Sequence, residues 1–389
     1  MLNAFKKTFL SGTVLLLMVG CATLPSLKPA KPKTPLEGLK VDEILSTNNG
    51  TTLSFEKFLE DLAAARIVYV GETHTNTEDH RVQQKILESL YERNPKLVLA
   101  LEMFPRESQS ILDRYSKGQI SEEEFLKEVD WNEVWGFPFE LYRPMLNFAR
   151  EKRLEILALN APRKVVEKIA SSGLASLSAA EQTQVAKDFH MDDPAHKNYV
   201  RQQYDAHVKG GIRDFESFFQ AQLAWEETMS ETLARRLSKS AGDEQILVLI
   251  GKGHIMNRVG VPMLTFKRVK QPFKTVVPMP INYPESLFDP NLGNYVWITE
   301  PMETPHRPRL GIMLRPAPSG MGLEVLGIAS GSPAEKAGIQ KGDILFMIDE
   351  VPLQSIEDLH RALEGKSRDH ELKILRGKKE ISVPVTISP

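Results

Sequence analysis

Four short apolar runs constrain this chain more than any other feature: 66–70, 97–101, 155–159 and 246–250. Runs such as VLAL and ILVLI show no polar alternation, and a strand that is apolar on both faces must be covered on both, which is the condition of a parallel sheet. Between them lie stretches with helical periodicity at 78–93, 122–129, 161–171 and 215–237. The alternation predicts an α/β domain over 41–270, a mostly parallel sheet flanked by helices.

After residue 262 prolines crowd the chain (Pro262, Pro272, Pro278, Pro280, Pro284, Pro290, Pro301, Pro305, Pro308), so 271–308 reads as a connecting segment. A second, small β-rich domain with one helix at 356–363 is expected over 309–389.

The amino end has a different logic. Lys6 and Lys7 precede an apolar stretch from Phe9 to Val19, then Gly20 and Cys21, the layout of a secretory signal and too short for a spanning helix. A small residue before the one cysteine of the chain fits a lipoprotein signal over 1–20, with Cys21 lipidated; the alternative is an uncleaved anchor or plain signal with an incidental cysteine. Alternating proline and lysine over 21–40 reads as a tether that buries no core. The expected address is the cell envelope, lipid-anchored on the periplasmic side, with Ala22 permitting outer-membrane sorting.

With 41% hydrophobic and 26% charged residues, disorder throughout is excluded. The formal charge is −2, and without the first twenty residues 47 basic residues stand against 51 acidic ones. Nucleic acid is thereby set aside as a partner.

Three of the four predicted strands end in residues that bind metals or move protons: GETH at 71–74, Glu102, and GKGH at 251–254. Parallel strands share a carboxyl edge, and ligands bind in the crevice beyond it, so Glu72, His74, Glu102 and His254 are expected in one pocket with Asn160 beside them. Gly71, Gly251 and Gly253 would let the backbone approach a bound group closely. Imidazole with carboxylate suits zinc, iron or manganese. His80, six residues after His74, would be a further ligand or orient one. His190, His196 and His207 have no such placement and read as surface or haem-candidate residues. The apolar face of 215–237 reads as core packing, with a porphyrin-contacting face as the alternative, whereas DWNEVWGFPFELYRP at 130–144 sets flat aromatic surfaces beside the crevice, suited to a flat ligand.

GETH at 71–74, LEMF at 101–104, AQLAWEETM at 221–229 and GKGH at 251–254, in that order over 41–266, resemble the ChaN family. That family is similar to a wider group including TraB/PrgY proteins, erythromycin esterases and Tiki metalloproteases. For the ChaN branch the resemblance implies a haem-binding lipoprotein role in iron acquisition, with haem at a subunit interface, hence a possible homodimer, and a tyrosine on the iron; Tyr142, Tyr199 and Tyr204 are the candidates. For the hydrolase branches it implies a metal-dependent centre at His74, Glu102 and His254, with Glu72 or Glu102 as general base.

Residues 309–312 (RLGI), followed by GLEVLGIASGSPAEKAGIQKGDILFMIDEVPLQSIEDLHRAL, resemble a PDZ domain of the bacterial protease type. The resemblance implies binding of a peptide or protein C-terminus by strand addition at Leu310, Gly311 and Ile312, with the 356–363 helix as the other wall. Gly342 and Asp343 belong to a turn that shapes the domain. No GxSxG elbow precedes it, so a serine-protease reading does not follow. Three functions follow in order: a haem or iron carrier whose PDZ domain recruits a partner, a hydrolase using zinc or manganese, and an envelope scaffold acting through the PDZ domain.

Overall fold

The computed structural model describes residues 38–207, 215–240, 242–283, 289, 291–301, 310–317, 320–363 and 367–387. The expected signal, Cys21 and nearly all of the tether lie outside them. By contacts the chain divides into Met1–Leu39 and Lys40–Pro389, and every element below belongs to the second unit.

Eight strands build the larger sheet: β1 (Ile44–Ser46), β2 (Thr51–Leu53), β3 (Ile67–Glu72), β4 (Leu97–Pro105), β5 (Glu155–Asn160), β6 (Gln245–Gly251), β7 (Phe273–Pro280) and β8 (Tyr295–Thr299). Their spatial order is β2-β1-β8-β7-β3-β6-β4-β5. From β8 to β5 every neighbour is parallel, while β1 joins β8 and β2 in antiparallel pairs. β3, β4 and β6 are buried at every position, as their unbroken apolar runs require.

The two faces divide by residue parity. Val68, Val70, Leu99, Leu101, Leu247 and Leu249 meet Val82, Ile86, Leu87 and Leu90 of the helix Thr77–Arg93. Ile67, Tyr69, Val98, Ala100, Ile246 and Val248 meet Met229, Leu233 and Leu237 of the long helix Phe215–Ser238. The predicted core face of that helix is therefore a core face.

One expectation is corrected. The 271–308 stretch, read as connecting chain, supplies β7 and β8, and Trp297 at its heart is 1% exposed. Prolines fit in β7 because its pairing with β3 ends at Val276. Residues two apart present their N–H groups to the same side, so Pro278 and Pro280 lack only donors that β3 no longer needs.

The smaller sheet contains β9 (Ile312–Pro316), β10 (Leu323–Ile328), β11 (Ile344–Ile348), β12 (Val351–Pro352), β13 (Asp369–Arg376) and β14 (Lys379–Thr386), ordered β14-β13-β11-β10-β9 with β12 on β11. Leu323, Val325, Leu345, Leu372 and Ile374 pack with Leu359 and Leu363 of the helix Ile356–Leu363. β9 is an edge strand. Gly311, just before it, has φ +73°, and a Cβ there would lie 2.3 Å from Ser332 Cβ, so only glycine fits. The carbonyls of Leu310 and Gly311 accept from Ala334 and Ala329, which fixes the loop at the head of that edge. Asp343 is buried and paired with Arg376, in keeping with its structural reading.

Candidate functional site

β6 lies between β3 and β4, and Gly251 at its end stands opposite Glu72 of β3. Glu102 of β4 reaches over from the other side and accepts the Gly251 N–H at 2.5 Å. A Cβ on Gly251 would sit 3.0 Å from His74 Cε1, 3.5 Å from His74 Nε2 and 3.4 Å from Glu102 Oε2. His254, in the single turn Lys252–His254, directs Nε2 to Glu102 Oε1 at 3.3 Å. Three sheet ends thus bring His74, Glu102 and His254 together. Asn160 stands beside them, donating to the Glu102 carbonyl at 3.0 Å. A Cβ on Gly71 would lie 2.9 Å from Lys252 Cγ, so something there would have to shift, whereas Gly253 faces open space.

Each imidazole is held from behind. Glu72 Oε1 meets His74 Nδ1 at 2.8 Å and also accepts the Tyr142 hydroxyl at 2.8 Å. His80 Nδ1 lies 3.2 Å from the other Glu72 oxygen, and its Nε2 meets the His74 carbonyl. His80 is therefore packed behind Glu72 rather than beside His74 Nε2. Glu226 Oε1 stands 3.0 Å from His254 Nδ1, where Gln222 Nε2 also approaches, and Glu226 Oε2 lies 2.5 Å from His196 Nε2. The two motif turns are tied to each other: buried Asp79 accepts the Thr73 N–H and pairs with Lys252 Nζ, both at 2.7 Å. Asn76 caps the helix Thr77–Arg93 directly after the His74 turn by accepting from Glu78 N.

Burial alone would raise the Glu226 carboxyl, but the charge of His196 and hydrogen bonds from His196 and His254 outweigh it and hold the group at about 2. Burial alone would lower His254, yet Glu102 and Glu226 raise it to about 10. Glu102 stays below the ordinary carboxylate range, because His254 and His74 outweigh its desolvation. Burial and the Glu72 charge push the Tyr142 phenol far up, which keeps it a neutral donor.

The signs define a stability window for the ligand-free protein. The depressed Glu226 contributes stability above its ordinary 4.5 that is lost as pH falls toward 2; the raised His254 contributes stability below its ordinary 6.5 that is lost as pH rises through 10. Thermal unfolding against pH is expected to plateau between about 4.5 and 6.5 and to fall on both sides; a midpoint still climbing from pH 7 to pH 10 would contradict the assignment.

The aromatic loop divides. Trp131, Phe139 and Tyr142 are core, while Trp135 and Phe137 remain partly exposed with ring centroids 4.7 and 4.8 Å from His74. The His74 side chain is itself 30% exposed, and among the described residues its Nε2 makes no hydrogen bond. Of the tyrosine candidates, Tyr142 is spent on Glu72, Tyr199 is buried with an unpartnered hydroxyl, and Tyr204 packs on Phe215 and Phe218. His190 serves Glu227, which also pairs with Arg268, and the His207 side chain lies outside the description. Among the described residues no group of three or more acidic or imidazole side chains stands at metal-binding spacing.

Gly251→Ala is expected to fold, because the atoms that it would press belong to the partly exposed His74 ring and can yield. Any ligand gripped by His74 and Glu102 should then bind at least about tenfold more weakly, a loss of about 1.4 kcal/mol. Titration beside a melting curve separates the two effects, and unchanged affinity would remove Gly251 from the site.

The residues missed by sequence reasoning are the buried Glu226 and Asp79 and the half-buried Gln222 and Lys252, together with the placement of His196. The signal for Glu226 was present: two adjacent glutamates in the middle of a helix otherwise apolar enough to be core.

Fold and crevice together define an α/β protein with an imidazole–carboxylate centre at the carboxyl edge of a parallel sheet, carrying a PDZ domain. The chain belongs to the ChaN family, described as haem-binding uptake within the Tiki superfamily, whose model matches residues 58–264; a PDZ-domain model matches residues 324–376. The solved ChaN of Campylobacter jejuni, a structure of cofacial haem binding, shares the fold with a TM-score of 0.53 and 19% identity, over 65% of this chain and 95% of that one. Protein RETICULATA-RELATED 5 of Arabidopsis thaliana is 25% identical over 56% of this chain. The putative serine protease HhoA of Synechocystis sp. is 35% identical over 16% of this chain. The chain spans 31% and 17% of the lengths of those two relatives.

Proposed function

We propose that this protein is an envelope lipoprotein, anchored through Cys21 on the periplasmic side, that binds haem for iron acquisition and recruits a peptide or protein C-terminus through its PDZ domain. Family membership supports the haem, and one observation supports its location: His74 is the more exposed histidine of the centre, 30% against 12% for His254, Nδ1 anchored by Glu72, with Trp135 and Phe137 against its ring. Imidazole with flanking aromatic surface suits a flat iron macrocycle. His74, Trp135 and Phe137 would hold it, and the bound group would supply an iron centre that can be carried and passed on. Of the three candidate tyrosines, Tyr199 is the one whose hydroxyl is buried without a hydrogen-bond partner among the described residues. The open edge at β9 and the fixed Leu310–Gly311–Ile312 loop suit strand addition by a peptide terminus. In haem titrations read at the Soret band, His74→Ala and Trp135→Ala should each weaken binding at least about tenfold. Equal affinity in both variants would move the site elsewhere.

A second reading has its own support. His74 and His254 each have Nδ1 backed by a buried glutamate and flank Glu102, the outer-shell pattern of metal-holding histidines. A divalent zinc or manganese ion held there would supply Lewis-acid activation. Glu102, steadied by the Gly251 N–H and kept ionised by His254 and His74, would serve as the general base, and Glu72 keeps His74 in orientation. Inertness toward peptides, esters and lactones with either metal would dismiss this hydrolase reading.

A further inference from the structure

Among the described residues β9 is an end strand of the smaller sheet, and its hydrogen bonds show which backbone groups an added strand would meet. The Gly311 carbonyl accepts from Ala329 N and Ala317 N donates to the Gly322 carbonyl, so both residues face the β10 side. Backbone groups alternate along a strand. Met313 and Arg315 therefore turn theirs toward β10 as well, while Ile312 and Leu314 hold N–H and C=O on the open edge. Pro316, the next residue of that parity, has no N–H, and the open ladder loses its donor there.

Side chains alternate with the same period. Ile312 and Leu314 pack against the core of the small domain, and Met313 and Arg315 stand on the outer face. Arg315 is committed, because Nε and Nη2 each lie 2.9 Å from Oε2 of Glu324, the residue directly opposite on β10. Met313 is 53% exposed, and the residue opposite it is Gly327, Leu326 being taken up in a bulge of β10. With no side chain across from it on β10, Met313 offers its apolar surface to a neighbour on the open side.

We propose that Met313 sets the sequence preference of the PDZ domain: the peptide or protein terminus that it takes carries a large apolar residue, aromatic or long aliphatic, at the penultimate position. The inference rests on the reading of β9 as the strand that a free C-terminus joins. With the carboxylate at the Leu310–Gly311–Ile312 loop, at the head of β9, the bound terminus runs antiparallel to β9. Its last residue then lies opposite Ile312, the penultimate one opposite Met313, the third from the end opposite Leu314 and the fourth opposite Arg315. Directly opposite residues share a face, so the last and third side chains turn inward with Ile312 and Leu314. The penultimate side chain turns outward onto Met313. That pair is of the non-hydrogen-bonded kind, the closer of the two, at about 4.5 Å between Cα atoms. A thioether adapts to the shape of its neighbour and is favourable at a ring edge. A charged group in the same place would lose water against apolar surface and find no counter-charge, since Arg315 is held by Glu324. Beyond the fourth residue Pro316 supplies no donor, so residues further back add little.

The test is capture of synthetic peptides by the purified full-length chain, from a set randomised at the last six positions, with the same set bearing C-terminal amides as control. Free carboxylates should be retained over amides. At the penultimate position Phe, Trp, Leu and Met should be enriched about five- to tenfold over Asp and Lys, and the fifth and sixth positions from the end should show no enrichment. Met313→Lys, at an exposed site that leaves the core untouched, should move the penultimate preference to Asp and Glu, and Met313→Ser should flatten it. No retention, or equal retention of amides and free carboxylates, would overturn the strand-addition reading and this inference with it. Retention that needs the carboxylate but shows no penultimate bias, or a bias that Met313→Lys leaves unchanged, would overturn the role of Met313 and leave peptide binding standing.

Discussion

Glu226→Ala is expected to cost roughly 3–5 kcal/mol of folding stability, the range found when one partner of a buried ion pair is removed. Glu226 lies inside the long helix Phe215–Ser238 with no exposed side-chain surface, between His196 at 2.5 Å and His254 at 3.0 Å. Alanine leaves two buried imidazoles facing a cavity, each without its carboxylate. Glu226→Gln should cost much less, because the shape and one acceptor remain. Urea denaturation of both variants at pH 6, inside the predicted plateau, is the check. A loss below about 1 kcal/mol for alanine would mean that Glu226 is not the hub of the charge network.

Trp297→Ala is the second large effect, expected at about 3–5 kcal/mol. The indole is enclosed by Phe55 and Phe58, both edge-on at 5.7 Å, and its Nε1 donates to Asp42 at 3.0 Å. Lys85 Nζ stands over the same ring at 5.3 Å. The substitution removes that packing and leaves Asp42 without the indole donor, although Arg81 still holds it. A cost near zero would show that β8 is peripheral to the larger sheet, contrary to its fully buried pattern.

Trp297 also marks where sequence reading stopped short. The four buried strands were legible because continuous apolar runs of strand length, separated by helical periodicity, admit little besides a covered parallel sheet. β7 was masked by Pro278 and Pro280 and β8 by Pro290 and Pro301 on either side, and the prolines of β7 are tolerated because they fall past the last β3–β7 pair at Val276. Whether a proline interrupts a strand depends on which side its neighbour has left, and that is a property of the assembled sheet.

The site divides along the same line. Glu72, His74, Glu102 and His254 follow from a single rule, that strands running in parallel deliver their ends to one edge. His196 and Glu226 are helical, so their meeting depends on how the helices Pro194–His207 and Phe215–Ser238 are rotated over the sheet. Periodicity told which face of the long helix is apolar, but a helix buried on most of its circumference hides its buried glutamates, Glu226 and Glu227, within it. Tyr142 belongs to the same class. As a crevice-side tyrosine it was an iron-ligand candidate, whereas its buried hydroxyl donates to Glu72 and supports His74 from within.

The most direct measurement is a haem titration of the purified protein, followed by visible absorption and size exclusion, with elemental analysis of the unloaded sample. The account predicts a saturable Soret shift that depends on His74. No Soret shift, with stoichiometric zinc or manganese already in the preparation, would contradict haem carriage and transfer the crevice to metal-dependent hydrolysis.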